Sequence, residues 1–346
     1  MASPETAARR RVGIDDVARL AGVSRQTVSN VLNDRGRFTG VTRERVLRTV
    51  ADLGYRPHHA ARSMRSRRTH TLAHPVIDTE LLPYNLFGAQ FLQALVSAVA
   101  EAGYSLLTLP SCPSGGVEDL VAEGRVDGVV LADIAPGDQR VARLIAGRTP
   151  FAAFGRTGAD EPQCWVDVDS FGSVAAATDH VVRLGHRRIA YLGYGGPRSG
   201  VWDTDRERGF LHALAAAGIP AVDVIRVEHR AAPTVVGRLL GTGQRPTAIV
   251  CGSDVLAMIV YHAAAARGLR IGRDLAVTGF DGGSATTALT PTLTTLRQPT
   301  TAIARELVRR VLGQVEGNPV GPGLLLPAAL VVGESTDPGP GWAARH

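Results

Sequence analysis

Residues 24–30 carry several side chains that can recognise the edges of DNA bases. Arginine, glutamine and asparagine form paired hydrogen bonds in the major groove, and hydroxyl groups reach phosphates or bases. Helical spacing turns Val28, Val31 and Leu32 to one side and leaves the polar residues outside. We expect this outward face to bind DNA through Ser24, Arg25, Gln26, Thr27, Ser29 and Asn30. The alternative for a short polar helix is an ordinary solvated surface.

A preceding helix and a tight turn would have to position these side chains. Ile14, Val17 and Ala18 recur at helical spacing, and Gly22 then ends the first helix, because glycine adopts a positive φ without steric cost. Ser24 can cap the second helix. Since the short turn fixes how the second helix projects, the segment predicts a helix-turn-helix.

A third helix completes the predicted bundle. Thr39 is its expected cap, and Gly54 its expected end. Its apolar stripe is expected to consist of Val41, Val46, Val50 and Leu53.

Positive charge is concentrated at the amino-terminal end of the chain. The net charge is +6, and residues 1–70 contain 15 arginines against 6 acidic residues, which gives +9. The remaining residues contain 23 arginines against 26 acidic residues, which gives −3. Such a basic segment is typical of a nucleic-acid-binding module, because its cations replace the counterions of phosphates. A solvated basic tail would lack the apolar pattern of these helices.

Neither the cysteines nor the amino-terminal segment indicates metal binding or export. Cys112, Cys164 and Cys251 are scattered and lack ligand spacing, so we expect no zinc site, disulfide or cofactor. The first residues lack an apolar signal segment, and no later run reaches the roughly 18 apolar residues that cross a membrane. We therefore expect a cytoplasmic protein without membrane contact.

After about residue 71, short apolar runs alternate with amphipathic helices, as in a doubly wound parallel sheet. The clearest helices are expected at residues 169–184 and 206–217. Strands are expected at residues 105–109, 128–132, 151–154, 189–192, 248–251 and 276–280. Because ligands bind beyond the carboxyl ends of such strands, the pattern predicts two Rossmann-like lobes around a ligand cleft.

Two motifs, GIDDVARLAGVSRQTVSNVLND (13–34) and VTRERVLRTVADLGYRPHHAARSM (41–64), resemble the start of the lactose/galactose-repressor (LacI/GalR) family. The resemblance implies that Arg25 and Gln26 read bases and that Asn30 lies on the same face. It also implies that residues 55–57 close the headpiece, which makes Tyr55 a further candidate at the DNA interface.

A hinge helix in residues 58–70 is also implied by the resemblance. In the family two such helices, one per subunit, pack in the minor groove and insert an apolar residue between base pairs. Met64 occupies that position, and Arg62 would touch phosphates. The alternative for Met64 is an ordinary linker residue.

Five further motifs extend the resemblance over nearly the whole chain: LGHRRIAYLG (184–193), DRERGFLHAL (205–214), PTAIVCGSDVLA (246–257), LAVTGFDG (275–282) and PTLTTLRQP (291–299). In sugar-responsive relatives the positions of Arg206 and Asp281 bind hydroxyls, which suits arginine donors and carboxylate acceptors. Asp254 and Gln298 are further candidates. The alternative for each is a structural ion pair or cap.

Two aromatic side chains, Trp202 and Tyr84, could stack on a pyranose, although either could equally belong to the core. Residues 72–86 depart from the family pattern, in which an apolar first strand is usual. The resemblance therefore specifies the effector contacts of the first lobe least.

The fold implied by the resemblance is an N-terminal three-helix helix-turn-helix headpiece plus hinge helix, followed by a two-lobed α/β effector domain like a periplasmic binding protein. Its expected segments are the headpiece (12–57), hinge helix and linker (58–70), effector domain (71–338, crossing between lobes near 168 and 297) and disordered tails (1–11 and 339–346). The implied function is a transcription regulator, expected to be a repressor. It would bind a palindromic double-stranded DNA operator as a homodimer and respond to a sugar.

An enzyme and an exported solute-binding receptor are the alternatives on a two-lobed scaffold. The glycines at 193, 195, 196 and 200 follow a strand, but their spacing is not GxGxxG. No Walker, HExxH or GxSxG motif occurs, so we expect no catalytic residues. A receptor would need a signal peptide and would not carry a headpiece.

Overall fold

The computed structural model describes residues 12–32, 36, 38–55, 68–76, 86–110, 116–158, 163–196, 199–221 and 223–336. The expectations for the hinge helix, including Arg62 and Met64, for Tyr84 and for both tails lie outside these residues. The chain divides into two compact units, residues 1–69 and 70–346.

Unit 1 contains three helices around a small apolar core. They are Ile14–Ala21 (α1), Arg25–Leu32 (α2) and Gly40–Asp52 (α3). Val17, Val28 and Val46 are fully buried at the centre of the unit. Gly22 has a φ of 62° and ends α1, so the predicted turn is confirmed. Thr39 caps α3 by accepting from the Thr42 N–H at 3.3 Å, also as predicted.

One residue of the predicted α3 stripe is wrong. Val41 is 73% exposed, whereas Val46 is buried and Val50 and Leu53 pack against the core. The step from 41 to 46 is five residues, and residues on one helix face are three or four apart. Val41 therefore faces away from the core.

Unit 2 consists of two α/β lobes. Lobe 1 contains Thr71–Val76 (β1), Leu86–Glu101 (α4), Ser105–Pro110 (β2), Val117–Ala122 (α5), Gly128–Leu131 (β3), Gln139–Ala146 (α6), Phe151–Phe154 (β4), Trp165–Val168 (β5), Thr300–Val315 (α11) and Leu324–Leu326 (β11). Lobe 2 contains Ser170–Arg183 (α7), Ile189–Tyr194 (β6), Val201–Ala216 (α8), Asp223–Val227 (β7), Ala232–Leu240 (α9), Ala248–Cys251 (β8), Asp254–Ala265 (α10), Ala276–Asp281 (β9), Thr294–Arg297 (β10) and Ala329–Val331 (β12).

Each lobe is built on a six-stranded sheet with helices on both faces. The strand orders are β11-β5-β4-β3-β1-β2 and β12-β10-β9-β8-β6-β7, and every pairing is parallel except that of β10 with β12. One apolar core runs through both lobes beneath α4, α11, α7 and α8, and two others fill the opposite faces. This is the doubly wound, two-lobed architecture that the alternating pattern predicts.

The chain passes between the two lobes three times. It leaves lobe 1 between β5 and α7, returns between β10 and α11, and crosses again in the two residues between β11 and β12. Three short connections therefore join the lobes.

Most predicted elements coincide with those of the structure, with two departures. Strands Phe151–Phe154 and Ala248–Cys251 have the predicted bounds, and α7 is flanked by the Asp169 and Leu184 caps. Helix α8 begins at Val201 rather than at 206, because the Asp203 carboxylate accepts from the Gly200 N–H and starts the helix earlier. The 72–86 segment contains a regular strand, β1, despite its unusual sequence.

Strand β1 tolerates Pro75 although it lies between β2 and β3. Its pairing with β3 involves only Leu72 and Ala73, so the N–H that Pro75 lacks falls beyond that pairing. His74 is buried and its Nδ1 lies 2.9 Å from the Val130 carbonyl oxygen. The polar ring therefore has a partner inside the sheet.

Candidate functional site

Helix α2 presents polar side chains on its exposed face. Ser24 caps the helix by accepting from the Thr27 N–H at 3.1 Å. Gln26 Nε2 donates to Asn30 Oδ1 at 2.9 Å, and Arg25 lies 3.9 Å from Asp15. The structure thus brings the exposed Arg25 and Gln26 together with the half-buried Asn30 as a set of donors and acceptors.

Two further residues expected at the DNA interface, Ser29 and Tyr55, are buried in the headpiece. Ser29 is 6% exposed rather than outward-facing, because α2 packs against both α1 and α3 and therefore buries a wider arc than one stripe. Tyr55 is buried in the headpiece core, and burial raises the pKa of its hydroxyl. The outward position expected for Ser29 is wrong, and the Tyr55 ring packs among apolar residues.

In lobe 2, Arg206 is the central cation at the carboxyl edge of the sheet. It is 6% exposed, and its Nη1 donates to the Gly252 carbonyl oxygen at 2.6 Å. Its guanidinium carbon lies 4.4 Å from the Trp202 ring centroid and 3.6 Å from that of Phe280. The cation is therefore held between two aromatic rings, in a fixed orientation.

Asp281 and Gln298 meet where β9 and β10 end. Gln298 Nε2 donates to Asp281 Oδ1 at 2.7 Å, while Gln298 Oε1 is buried and has no hydrogen-bond partner among the described residues. Asp281 has a φ of 122°, a conformation that costs energy for a residue other than glycine. Burial and the nearby Asp254 raise the pKa of Asp281, and Arg206 opposes this effect.

Asp254 has internal partners for both of its oxygens. Oδ1 accepts from Thr295 Oγ1 at 2.5 Å, and Oδ2 accepts from the Gly283 N–H at 3.0 Å. Burial also raises its pKa. These bonds tie the start of α10 to β10 and to the turn after Asp281. Asp254 therefore holds the backbone on which Asp281 lies.

Asp203 belongs to the same cluster, although the sequence analysis did not single it out. Its Oδ2 accepts from Ser199 Oγ at 2.7 Å, and burial raises its pKa to about 6. The signal was available, because Asp203 precedes Arg206 by three residues and such residues share a helix face. The spacing was not used because the helix was predicted to begin at residue 206, which left Asp203 outside it.

Arg156 connects the two lobes. It follows β4 in lobe 1, where its Nε donates to Asp167 Oδ2 at 3.2 Å. Its Nη2 also donates to Asp205 on α8 in lobe 2. Asp205 directly precedes Arg206, so this interlobe ion pair lies next to the central cation.

Lobe 1 places aromatic rings near the ends of its strands. Phe87 and Phe91 on α4 lie 5.8 and 5.0 Å, centroid to centroid, from Phe154 at the end of β4. The His74 ring meets Phe91 edge-on at 5.9 Å, and burial lowers its pKa. Phe91 belongs to the apolar core that runs through both lobes, and Phe87 and Phe154 pack against that core.

The side chains gathered around Arg206 can form hydrogen bonds and stacking contacts with a ligand. Within the described ranges no cluster of three or more histidine, cysteine or acidic side chains could hold a metal ion. No helix in the part of the chain that the structure describes is long and apolar enough to cross a membrane. A fixed guanidinium, partly satisfied carboxylates and aromatic faces suit a ligand that has both hydroxyls and a C–H surface.

Comparison with known families assigns both parts of the chain. Residues 13–58 match the model of bacterial regulatory proteins of the lacI family, and residues 178–336 match a periplasmic binding protein-like domain. The transcriptional regulator CelR of Thermobifida fusca is 31% identical over 343 residues, which cover 94% of this chain and 99% of CelR. The regulator AglR of Rhizobium meliloti is 30% identical and covers 95% of each chain.

Solved structures of regulators resemble the chain along nearly its whole length. A lac repressor dimer bound to operator and the anti-inducer ONPF has a TM-score of 0.80 at 25% identity, covering 94% of this chain and 99% of the repressor chain. A complex of CelR with cellobiose has a TM-score of 0.69 at 29% identity, covering 94% of this chain and all of that one.

Proposed function

Because this chain belongs to the LacI family and is an effector-controlled, DNA-binding transcription regulator, we propose that it is a cytoplasmic repressor released from its operator by a sugar. It would bind palindromic double-stranded DNA as a homodimer, since a twofold protein reads a twofold site. The observation that carries this proposal is the Arg206–Asp281–Gln298 cluster, joined in one chain to a helix-turn-helix.

Operator recognition would divide between two segments of the chain. Arg25 and Gln26 are exposed and Asn30 is half-buried, and all three have the hydrogen-bonding groups to read bases in the major groove. Arg62 would contact a phosphate, and Met64 would enter the minor groove as the apolar wedge of a hinge helix. The proposed boundaries are 12–57 for the headpiece, 58–70 for the hinge and 71–338 for the effector domain.

The sugar would bind between the lobes. Arg206 would donate to hydroxyl oxygens, Asp281 would accept from hydroxyls, and Trp202 would offer a stacking face, with Tyr84 as a further aromatic candidate. CelR is a relative whose structure contains cellobiose, which supports a saccharide as the ligand class. Sugar binding would favour a lobe arrangement that separates the hinge helices and weakens DNA binding.

The coupling between sugar and operator has a required symmetry. If the sugar lowers operator affinity by a given factor, the operator lowers sugar affinity by the same factor, typically about 5- to 150-fold. We would titrate the purified protein onto the DNA upstream of its own gene, following fluorescence anisotropy with and without mono- and disaccharides. Tight, salt-sensitive binding that one sugar weakens is the expected result. Tight binding unaffected by any sugar would contradict the proposed effector class.

Substituting Asp281→Asn should abolish the sugar response while retaining operator affinity, because the amide removes a charged acceptor and tolerates a positive φ. The measurement is the anisotropy titration with and without the responsive sugar. Asp254→Ala is the contrasting variant, and it should lower stability because it leaves the Gly283 N–H without its acceptor. Loss of folding in Asp281→Asn would instead indicate a structural role for that residue.

A further inference from the structure

Two polar atoms of opposite character lack partners on one face of α8. Asp203 and Arg206 are each 6% exposed. Within the described part of the chain, neither Asp203 Oδ1 nor Arg206 Nε has a hydrogen-bond partner. Buried polar atoms are normally satisfied, so these two require an explanation.

The remaining polar contacts hold both side chains in place. Asp203 Oδ2 accepts from Ser199 Oγ at 2.7 Å and from the Gly200 N–H at 3.3 Å. Arg206 Nη1 donates to the Gly252 carbonyl oxygen, and the Arg206 guanidinium lies against the Trp202 and Phe280 rings. Neither side chain can turn toward a different protein partner without losing these contacts.

The pair of open atoms defines the group that would satisfy them. Asp203 Oδ1 requires a donor, and Arg206 Nε–H requires an acceptor. An alcohol hydroxyl supplies both at one oxygen, whereas an ammonium only donates and a carboxylate only accepts. The Trp202 ring on the guanidinium adds an apolar face beside this position, which suits the C–H surface of a carbohydrate.

We propose that Asp203 is a specificity-determining residue of the effector site, where one sugar hydroxyl bridges Asp203 Oδ1 and Arg206 Nε. This inference rests on the sugar control proposed above and adds a second carboxylate to Asp281. Asp203 lies on α8, whereas Asp281 ends β9, so the two carboxylates engage different hydroxyls. The site then selects the position of a hydroxyl as well as the presence of a sugar.

The test uses the full-length protein on its operator. A saccharide panel that includes cellobiose and ribose first identifies the responsive sugar with the unsubstituted protein, and its monodeoxy analogues are then titrated. The variants are Asp203→Asn and, as matched control, Glu207→Gln. Glu207 lies on the same helix, but its carboxylate pairs with Arg226 outside the cluster.

We expect one monodeoxy analogue to bind the unsubstituted protein at least about 10-fold more weakly than the parent sugar, because a site built for a hydroxyl rejects its absence. Asp203→Asn should bind the parent sugar about 10-fold more weakly and distinguish that analogue by less than about 3-fold. Glu207→Gln should behave like the unsubstituted protein.

Equal discrimination in Asp203→Asn and the unsubstituted protein would overturn the role of Asp203 and leave sugar control intact. Failure of every sugar to act on the unsubstituted protein would overturn both proposals. If Asp203→Asn does not fold, Asp203→Ser is measured against the same criteria, because its hydroxyl retains an acceptor for the Gly200 N–H at the start of α8.

Discussion

At the scale of residues, the cleft buries more carboxylates than cations. Four aspartates around Arg206 have a raised pKa because burial disfavours their charged form: Asp167, Asp203, Asp254 and Asp281. Arg206 stabilises the charged form of each. Burying these carboxylates lowers the stability of the ligand-free protein, and hydroxyl donors of a bound ligand would offset that loss.

Because of Asp203, the free energy of unfolding should depend measurably on pH. Its folded pKa of about 6 exceeds the usual aspartate value of about 3.9, so the folded state retains its proton longer and stability falls as pH rises between these values. Asp203→Asn should therefore be more stable than the unsubstituted protein at pH 7.5, on the order of 1 to 3 kcal/mol. Urea unfolding at pH 7.5, 6 and 4 should show the difference shrinking.

Asp274→Asn provides a control of opposite sign. The Arg270 partner lowers the pKa of Asp274 to about 2, so its stabilisation is present throughout pH 4 to 7.5 and is lost only below that range. The effect of Asp274→Asn should therefore be destabilising and nearly constant across the three pH values. A pH-independent effect of Asp203→Asn would contradict the raised pKa of Asp203.

Base recognition is tested on the exposed face of α2. Arg25→Ala should cost about 1 to 3 kcal/mol on the preferred operator and relax preference at one base position. Arg62→Ala should instead weaken all sequences alike and reduce the salt slope by about one. Competition among operator variants at several salt concentrations separates the two effects. Unchanged base preference in Arg25→Ala would remove that residue from the recognition set.

At the scale of elements, periodicity predicts strands and helices but not fine orientation. Buried runs such as residues 151–154 and 248–251 predict their strands well, because both faces of those sheets are covered. The burial of Ser29 was not predicted, because its small polar side chain fits between packed helices. Val41 was misassigned by a five-residue step.

The cleft shows a second limit of sequence reasoning. Arg206, Asp281 and Gln298 were found through family motifs, and the structure brings them together. Arg156 could not be found from spacing alone, because its partner Asp205 lies in the other lobe. Asp203 was within reach of spacing, because it precedes Arg206 by three residues on the same helix. Long-range contacts of this kind depend on how the strands are ordered.

The last short segment of lobe 2 provides a test of element anchoring. Ser335 is fully buried, and its Oγ accepts from the Thr294 N–H at 2.8 Å and donates to the Val277 carbonyl at 2.6 Å. Ser335→Ala should lower the free energy of unfolding by about 1 to 3 kcal/mol, because two buried backbone groups lose their partner. Chemical denaturation measures this, with Ser97→Ala on the exposed face of α4 as a control expected to change little.

At the scale of the whole effector domain, Arg156 and Asp205 form an ion pair between the lobes. Substituting either residue should favour separated lobes and increase the radius of gyration measured by X-ray scattering. A double-mutant cycle of Arg156→Ala and Asp205→Asn should give a coupling of about 0.5 to 3 kcal/mol. The control cycle uses Arg226 and Glu207, which pair within lobe 2 and should leave the radius unchanged. Equal radii in both cycles would contradict the interlobe role.

The three passages of the chain between the lobes also have a mechanical consequence. A single connecting strand would act as a swivel and permit the lobes to twist, slide and bend. The three connections, after β5, after β10 and between β11 and β12, act together as one hinge with a single axis. The connections resist twisting and sliding of one lobe against the other, whereas bending about one axis remains easy. Binding of a ligand only a few ångströms across would therefore produce one defined rotation of the lobes.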